Sequence, residues 1–137
     1  LVSDQVICCF LEYQCNYDYV SNTLERTYPR GLDTEVFSFN VLEKIHRESK
    51  EAKYREHVTS FIYSNPDRFR MYQVKQETDM SGYRLTVDTE EDFILVEKII
   101  KALYPVNPQF HLEEVYQLLV LNPDWEKINE HIEQKKV

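Results

Sequence analysis

Segments with strand character are few and short in this chain, and helical periodicity fills the spaces between them. That alternation limits the fold more than any other feature of the sequence. "YDYVSN" (17–22) reads as a short buried strand that ends in turn residues. "TEVFSF" (34–39) alternates Val36 and Ser38 against Phe37 and Phe39, "RMYQVKQ" (70–76) is a third strand and "YRLTV" (83–87) a fourth. Elsewhere apolar residues recur at helical spacing. A first helix runs from Ser3 to about Gln14, capped by Ser3 or Asp4, with Val6, Ile7, Phe10 and Leu11 on one face. Asn40 caps a second helix carrying Val41, Leu42 and Ile45. A third covers about 51–64, with Tyr54, Val58, Phe61 and Ile62 aligned, and Asn65-Pro66 stops it. Met80-Ser81-Gly82 marks a turn. Thr89 caps a fourth helix whose stripe is Phe93, Val96, Ile99, Ile100 and Leu103, and Glu90, Glu91 and Asp92 suit its dipole. Pro105 and Pro108 bound a loop, Leu112 to Leu121 is a helix with Val115, Leu118 and Leu119 inward, and Trp125, Ile128 and Ile132 mark a last one. The class is therefore α/β, a sheet covered by helices with a helical tail. Four short strands are few for so many helices, which implies that part of the sheet is missing.

The 137 residues are read as one domain, 1–137, a length that can bury roughly two-thirds of its unfolded surface. Asp and Glu outnumber Lys and Arg, 24 to 16, for a net charge of −8. That balance argues against a nucleic-acid partner or an anionic membrane surface. No apolar run approaches the roughly 18 residues of a membrane span. The opening "LVSDQVICCF" has no signal-peptide layout, and no Met stands at position 1. Cys8, Cys9 and Cys15 are odd in number, and none has a partner at zinc-ligand spacing. They are expected to be buried, reduced thiols of a cytoplasmic protein.

Three stretches carry candidate chemistry. In "RLTVDTEEDFILVEKI" (84–99), Asp88 sits where a strand gives way to a helix, the place where α/β proteins gather ligands. A carboxylate there either ligates Mg²⁺ together with phosphate oxygens, or is one more cap beside Thr89. In "TYPRGLDTEVFS" (27–38), Arg30, with Arg26 just before this stretch, suits phosphate or carboxylate. Asp33 and Glu35 suit sugar hydroxyls, and Gly31 allows positive φ or a close approach. The alternative is a tight turn with solvated charges. In "YREHVTSFIYSNPDRF" (54–69), His57 is a proton shuttle, a phosphate ligand or a structural residue, and Arg55 and Glu56 pair on the rim.

Taken in order and spacing, "DYVSNTLERTYPRGLDTEVFS", "REHVTSFIY" followed by "NPDRF", and "RLTVDTEEDF" resemble the cytidylyltransferase family of the spore-coat polysaccharide type. That family is related to the acylneuraminate and 3-deoxy-manno-octulosonate cytidylyltransferases. The tail from Leu103 to Ile132 is also similar to the family's C-terminal helices. The resemblance covers the whole chain. It implies a nucleotide-diphospho-sugar transferase-like three-layer α/β fold, of which this chain is the C-terminal portion. The family's nucleotide loop and first metal-binding Asp belong to an N-terminal half that would precede "LVSDQVI". The implied reaction is attack of a sugar oxygen on the α-phosphate of CTP with release of pyrophosphate, with Mg²⁺ as cofactor. Asp88 matches the family's second metal-binding Asp in "VDTxED". The resemblance makes Arg30, Asp33 and Glu35 candidates for the acceptor-sugar wall, and puts Arg55, Glu56 and His57 in the "REHVT" motif without assigning their roles. A homo-oligomer is expected. The competing expectation is a noncatalytic oligomerisation or interaction module whose incomplete sheet leaves an open edge.

Overall fold

The computed structural model describes residues 1–13 and 15–133. The chain divides into two compact units. One comprises Val2–Glu25 and Thr34–Lys75, and the other comprises Arg26–Asp33 and the described residues from Gln76, with Leu1.

The first unit holds the sheet. Helix α1 (Val2–Tyr13) begins one residue before its expected cap, and the expected end at Gln14 lies outside the described residues. Strand β1 (Tyr19–Ser21) is central. It pairs antiparallel with β2 (Glu35–Phe37), Tyr19 opposite Phe37, and parallel with β3 (Met71–Gln73), Tyr19 opposite Met71. All three β1 residues are buried, as a central strand with both neighbours paired requires. Helix α2 (Phe39–Glu48) is capped by Ser38, whose Oγ accepts from the Val41 N–H at 3.3 Å; the cap is not Asn40. The strand ends at Phe37, so the helix starts early and Asn40 falls inside its first turn.

The expected helix over 51–64 is broken. Helix α3 (Ala52–Glu56) stops at His57, which has φ −118° and ψ 75°, and α4 (Ser60–Tyr63) restarts the coil. The β-branched pair Val58-Thr59 falls in the gap, where it disfavours continuation. The Ser60 hydroxyl donates to the His57 carbonyl that the break frees. Tyr19, Val41, Ile45, Phe61, Ile62 and Phe69 form the core, with Tyr54 edge-on to Phe61. In α1 only Val6 is fully buried; Ile7 and Leu11 of the expected inner face are exposed. The cysteines differ from expectation too. All three are free, but Cys8 and Cys15 are exposed, because they lie off the single buried position of α1 or beyond its end.

The second unit is built on helices α5 (Glu90–Leu103) and α6 (Leu112–Leu121). Leu95, Ile99, Val115 and Leu119 form its core, flanked by Tyr83, Leu85, Trp125 and Ile128. The inner face of α5 is therefore Leu95 and Ile99, while Phe93 and Ile100, expected inside, are exposed. The run "FILVEKIIKAL" offers apolar residues on more than one face, so the apolar pattern alone does not fix the helix's rotation. Residues 83–87 do not form a strand. They make a single parallel bridge, Arg30 with Arg84, in which the Arg30 N–H donates to the Tyr83 carbonyl (3.1 Å) and the Leu85 N–H to the Arg30 carbonyl (2.7 Å). Gly31, at φ +98°, turns the partner away after that one residue. A Cβ on Gly31 would stand 2.3 Å from the Leu85 carbonyl oxygen, so the close approach that Gly31 permits is that of the chain's own backbone. Trp125 and Ile128 lie in a 3-10 turn, Pro123–Ile128, rather than a full helix; Pro123, which lacks the N–H needed to continue α6, separates the two.

Candidate functional site

Asp88 stands between the Arg30–Arg84 bridge and the first turn of α5. That turn is fixed by a reciprocal cap: the Thr89 Oγ1 accepts from the Asp92 N–H (3.2 Å) and Asp92 Oδ2 accepts from the Thr89 N–H (3.2 Å). A capping carboxylate is usually at the surface, but Asp92 is 0% exposed. Its charge is met by the buried guanidinium of Arg84, with Nε to Oδ1 at 2.9 Å and Nη2 to Oδ2 at 2.9 Å. This two-pronged geometry is the strong form of a charge-assisted pair. Asn129 Nδ2 adds a bond of 2.7 Å to Asp92 Oδ1 and one of 3.0 Å to the Arg84 carbonyl. The Asp88 N–H donates to Asp92 Oδ2 at 3.1 Å. Burial alone would raise the Asp92 carboxyl's pKa. The bonds from Arg84, Asn129 and the Asp88 N–H outweigh burial and hold it well below the usual carboxylate range. The same pairing with Asp92 raises Arg84 above its ordinary value against the cost of burial.

Arg84 has a second task. Its Nη2 also donates to Asp88 Oδ2 at 3.0 Å, and the Asp88 side chain is 59% exposed. A buried ion pair thus presents one carboxylate at the surface with one of its oxygens pinned.

Among the described residues no group of three or more His, Cys, Asp or Glu gathers to hold a metal. A lone exposed carboxylate does not suit an all-protein cage. It does suit Mg²⁺, which is commonly held by one or two carboxylates plus substrate phosphates and water. The donor set fits the ion only in that shared form.

The other candidates are placed as follows. In the unit that contains Asp88, Arg30 is half-buried, its backbone is tied to Arg84, and its guanidinium makes no ion pair among the described residues. Asp33 is exposed and pairs with Arg26, Nη2 to Oδ2 at 2.8 Å. In the sheet unit, Glu35 accepts from the Tyr19 hydroxyl, and burial together with that carboxylate pushes the phenol well above its usual range. Arg55 does not pair with Glu56 but reaches His46, Nη1 to Nδ1 at 2.6 Å, since both residues lie in α3 and adjacent helical residues do not face each other. Glu56 lies 3.7 Å from the half-buried ring of its neighbour His57. Arg84, Asp92 and Asn129 escaped the sequence reading. The signal was there in part: Asp92 stands three residues after the Thr89 cap, at the capping-box position.

No protein-family model matches the chain. The spore coat polysaccharide biosynthesis protein SpsF of Bacillus subtilis is 33% identical over 127 residues, covering 88% of this chain and 49% of SpsF. The chain is a homologue of SpsF. An uncharacterised protein of Methanocaldococcus jannaschii is 36% identical over 122 residues, 88% of this chain and 48% of that one. The chain thus spans about half the length of the curated relatives it matches. The solved structure of a cytidylyltransferase from Leptospira borgpetersenii superposes with a TM-score of 0.84 at 26% identity, over 97% of this chain and 54% of that chain. The resemblance to cytidylyltransferases of the spore-coat polysaccharide type drawn from the motifs, and the α/β class with it, is borne out, and the fold is that of about half of a cytidylyltransferase. Among the described residues of this SpsF homologue, no helix is long and apolar enough to cross a membrane.

Proposed function

We propose that this chain carries the metal-side and acceptor-side residues of an enzyme that transfers a cytidylyl group from CTP to a sugar acid or related sugar, in surface polysaccharide biosynthesis. A sugar oxygen attacks the α-phosphorus, the bond to the pyrophosphate leaving group breaks, and the hydroxyl proton departs. The observation that carries this reading is Asp88, an exposed carboxylate held by a buried Arg84–Asp92 pair at the start of α5. Mg²⁺ bound there would neutralise charge on the phosphates. The protein's own part is to fix that carboxylate and to receive the acceptor. Arg30, backbone-paired with Arg84, is the candidate cation for an acceptor carboxylate or a phosphate. Asp33 and Glu35 are the candidates for sugar hydroxyls. The support is the SpsF homology, the cytidylyltransferase fold and the match of "VDTEED" to the family motif.

The test is pyrophosphate release from CTP by the complete gene product, with a panel of nonulosonic and related sugars, with Mg²⁺ present and then chelated. Metal-dependent release that drops at least about 100-fold in Asp88→Asn fits a positioned electrostatic role. No release with any acceptor, or wild-type turnover in the variant, would overturn the reading.

The alternative, a noncatalytic interaction module, has one observation in its favour: Ile7 and Leu11 of α1 are 43% and 58% exposed. A stable oligomer by sedimentation, without nucleotide binding, would select it.

A further inference from the structure

The buried cluster of Arg84, Asp92 and Asn129 is more elaborate than a helix cap needs. Thr89 and Asp92 alone complete the capping box. Asp92 lies at the usual capping-box position, yet it is fully buried and takes a guanidinium and an amide besides the two backbone N–H groups. Two members of the cluster, Arg84 and Asp92, reach Asp88, and Asn129 holds both of them. The Asp88 backbone is fixed by its N–H to Asp92 Oδ2, and its side chain by Arg84 Nη2 to its Oδ2. The Arg84 guanidinium is in turn oriented by both Asp92 oxygens, and its backbone by the bridge to Arg30 and by Asn129. Main chain and side chain of one exposed residue are thereby restrained through one buried carboxylate.

We infer that Arg84 is a positioning residue for Asp88: through Asp92 and Asn129 it sets the direction in which the Asp88 carboxylate faces a divalent cation. This rests on the reading of Asp88 as a metal-holding residue. The forked guanidinium is essential to the arrangement, because one nitrogen, Nη2, serves Asp92 and Asp88 together while Nε holds the second Asp92 oxygen. A lysine ammonium carries the same charge but is a single nitrogen on a stem that ends short of the Nη2 position, so it satisfies Asp92 and releases Asp88. Partners that orient a metal-binding side chain typically change metal affinity by about 10–100-fold when altered.

The experiment measures Mn²⁺ binding by electron paramagnetic resonance, in the presence of CTP, for the complete gene product as wild type, Arg84→Lys, Asp88→Asn and the double variant, with thermal melting alongside. The expected result is a folded Arg84→Lys protein that binds Mn²⁺ about 10–100-fold more weakly. In the Asp88→Asn background, Arg84→Lys should have no further effect, since it acts only through Asp88. Wild-type Mn²⁺ affinity in Arg84→Lys, with binding weakened in Asp88→Asn, overturns the positioning role and leaves the metal reading standing. Wild-type affinity in Asp88→Asn overturns the metal reading itself. Should Arg84→Lys not fold, Asn129→Ala removes two orienting bonds, to Asp92 Oδ1 and to the Arg84 carbonyl, without changing any charge. It is expected to weaken Mn²⁺ binding several-fold, and unchanged affinity in the folded variant overturns the proposal.

Discussion

Replacing Asp92 by Asn changes one atom and removes one charge, and the structure allows its cost to be worked out. Asp92 accepts from Arg84 Nε (2.9 Å), Arg84 Nη2 (2.9 Å), Asn129 Nδ2 (2.7 Å), the Asp88 N–H (3.1 Å) and the Thr89 N–H (3.2 Å). All five partners are donors. An amide has one acceptor oxygen, so in either orientation its NH₂ faces donors. With oxygen in the Oδ2 position, the NH₂ meets Arg84 Nε and Asn129 Nδ2; reversed, it meets Arg84 Nη2 and both backbone N–H groups. Arg84, 8% exposed, then loses the buried charge that Asp92 supplied. Breaking a buried pair by removing one partner costs about 3–5 kcal/mol. For a chain of this size that corresponds to a fall in melting temperature of roughly 10–20 °C. Asp88→Asn, at a side chain 59% exposed, should cost no more than about 1 kcal/mol. Thermal melts of the three proteins at pH 7, followed by circular dichroism, make the comparison. Melting of Asp92→Asn within about 3 °C of wild type would refute the claim that this carboxylate is a buried, fully used acceptor.

Further outcomes follow from the same structure. The folded Asp92 carboxyl has a lower pKa than the unfolded one, so the unfolded state binds more protons in acid and stability rises with pH there. Its contribution is fully present above the unfolded value of about 3.9 and fades as pH falls toward the folded value, so the gap between wild type and Asp92→Asn in urea melts should be constant from about pH 5 to 8 and narrow below about pH 4. Gly31→Ala puts a Cβ 2.3 Å from the Leu85 carbonyl oxygen and 2.6 Å from its carbon at φ +98°. The conformation alone costs about 1–3 kcal/mol and the backbone contact adds to it, so a loss of melting temperature comparable to that of Asp92→Asn is expected in the same scan. A thiol reagent at pH 8 should label the exposed Cys8 and Cys15 before Cys9, whose thiol is pushed up by burial and by Glu12; mass mapping of the labelled peptides checks the order.

How far the sequence alone could be read differs from place to place, for physical reasons. Tyr19–Ser21 and the helix after Thr89 were legible because local chemistry decides them: an aromatic and β-branched run in one case, a cap with three acids in the other. The strand over 83–87 was not, because strand propensity does not supply a partner, and Gly31 limits the available one to a single pair. The rotation of α5 was misjudged since Phe93 and Ile100 are as apolar as Leu95 and Ile99, and only the neighbouring elements choose between the faces. At the candidate site Asp88 was visible from its position. Arg84 was hidden inside a presumed strand, Asp92 passed for a dipole charge, and Asn129 lies 37 residues further on, a separation no local pattern bridges.

The account rests on Asp88 as the carboxylate that meets a metal-bound nucleotide. Calorimetric titration of the Mg²⁺–CTP complex into the complete gene product, as wild type and as Asp88→Asn, tests that claim most directly. The account predicts saturable binding that weakens at least about tenfold in the variant, a loss of about 1.4 kcal/mol, with melting temperature little changed. Equal affinity in the two proteins, or no binding by the wild type, would contradict it.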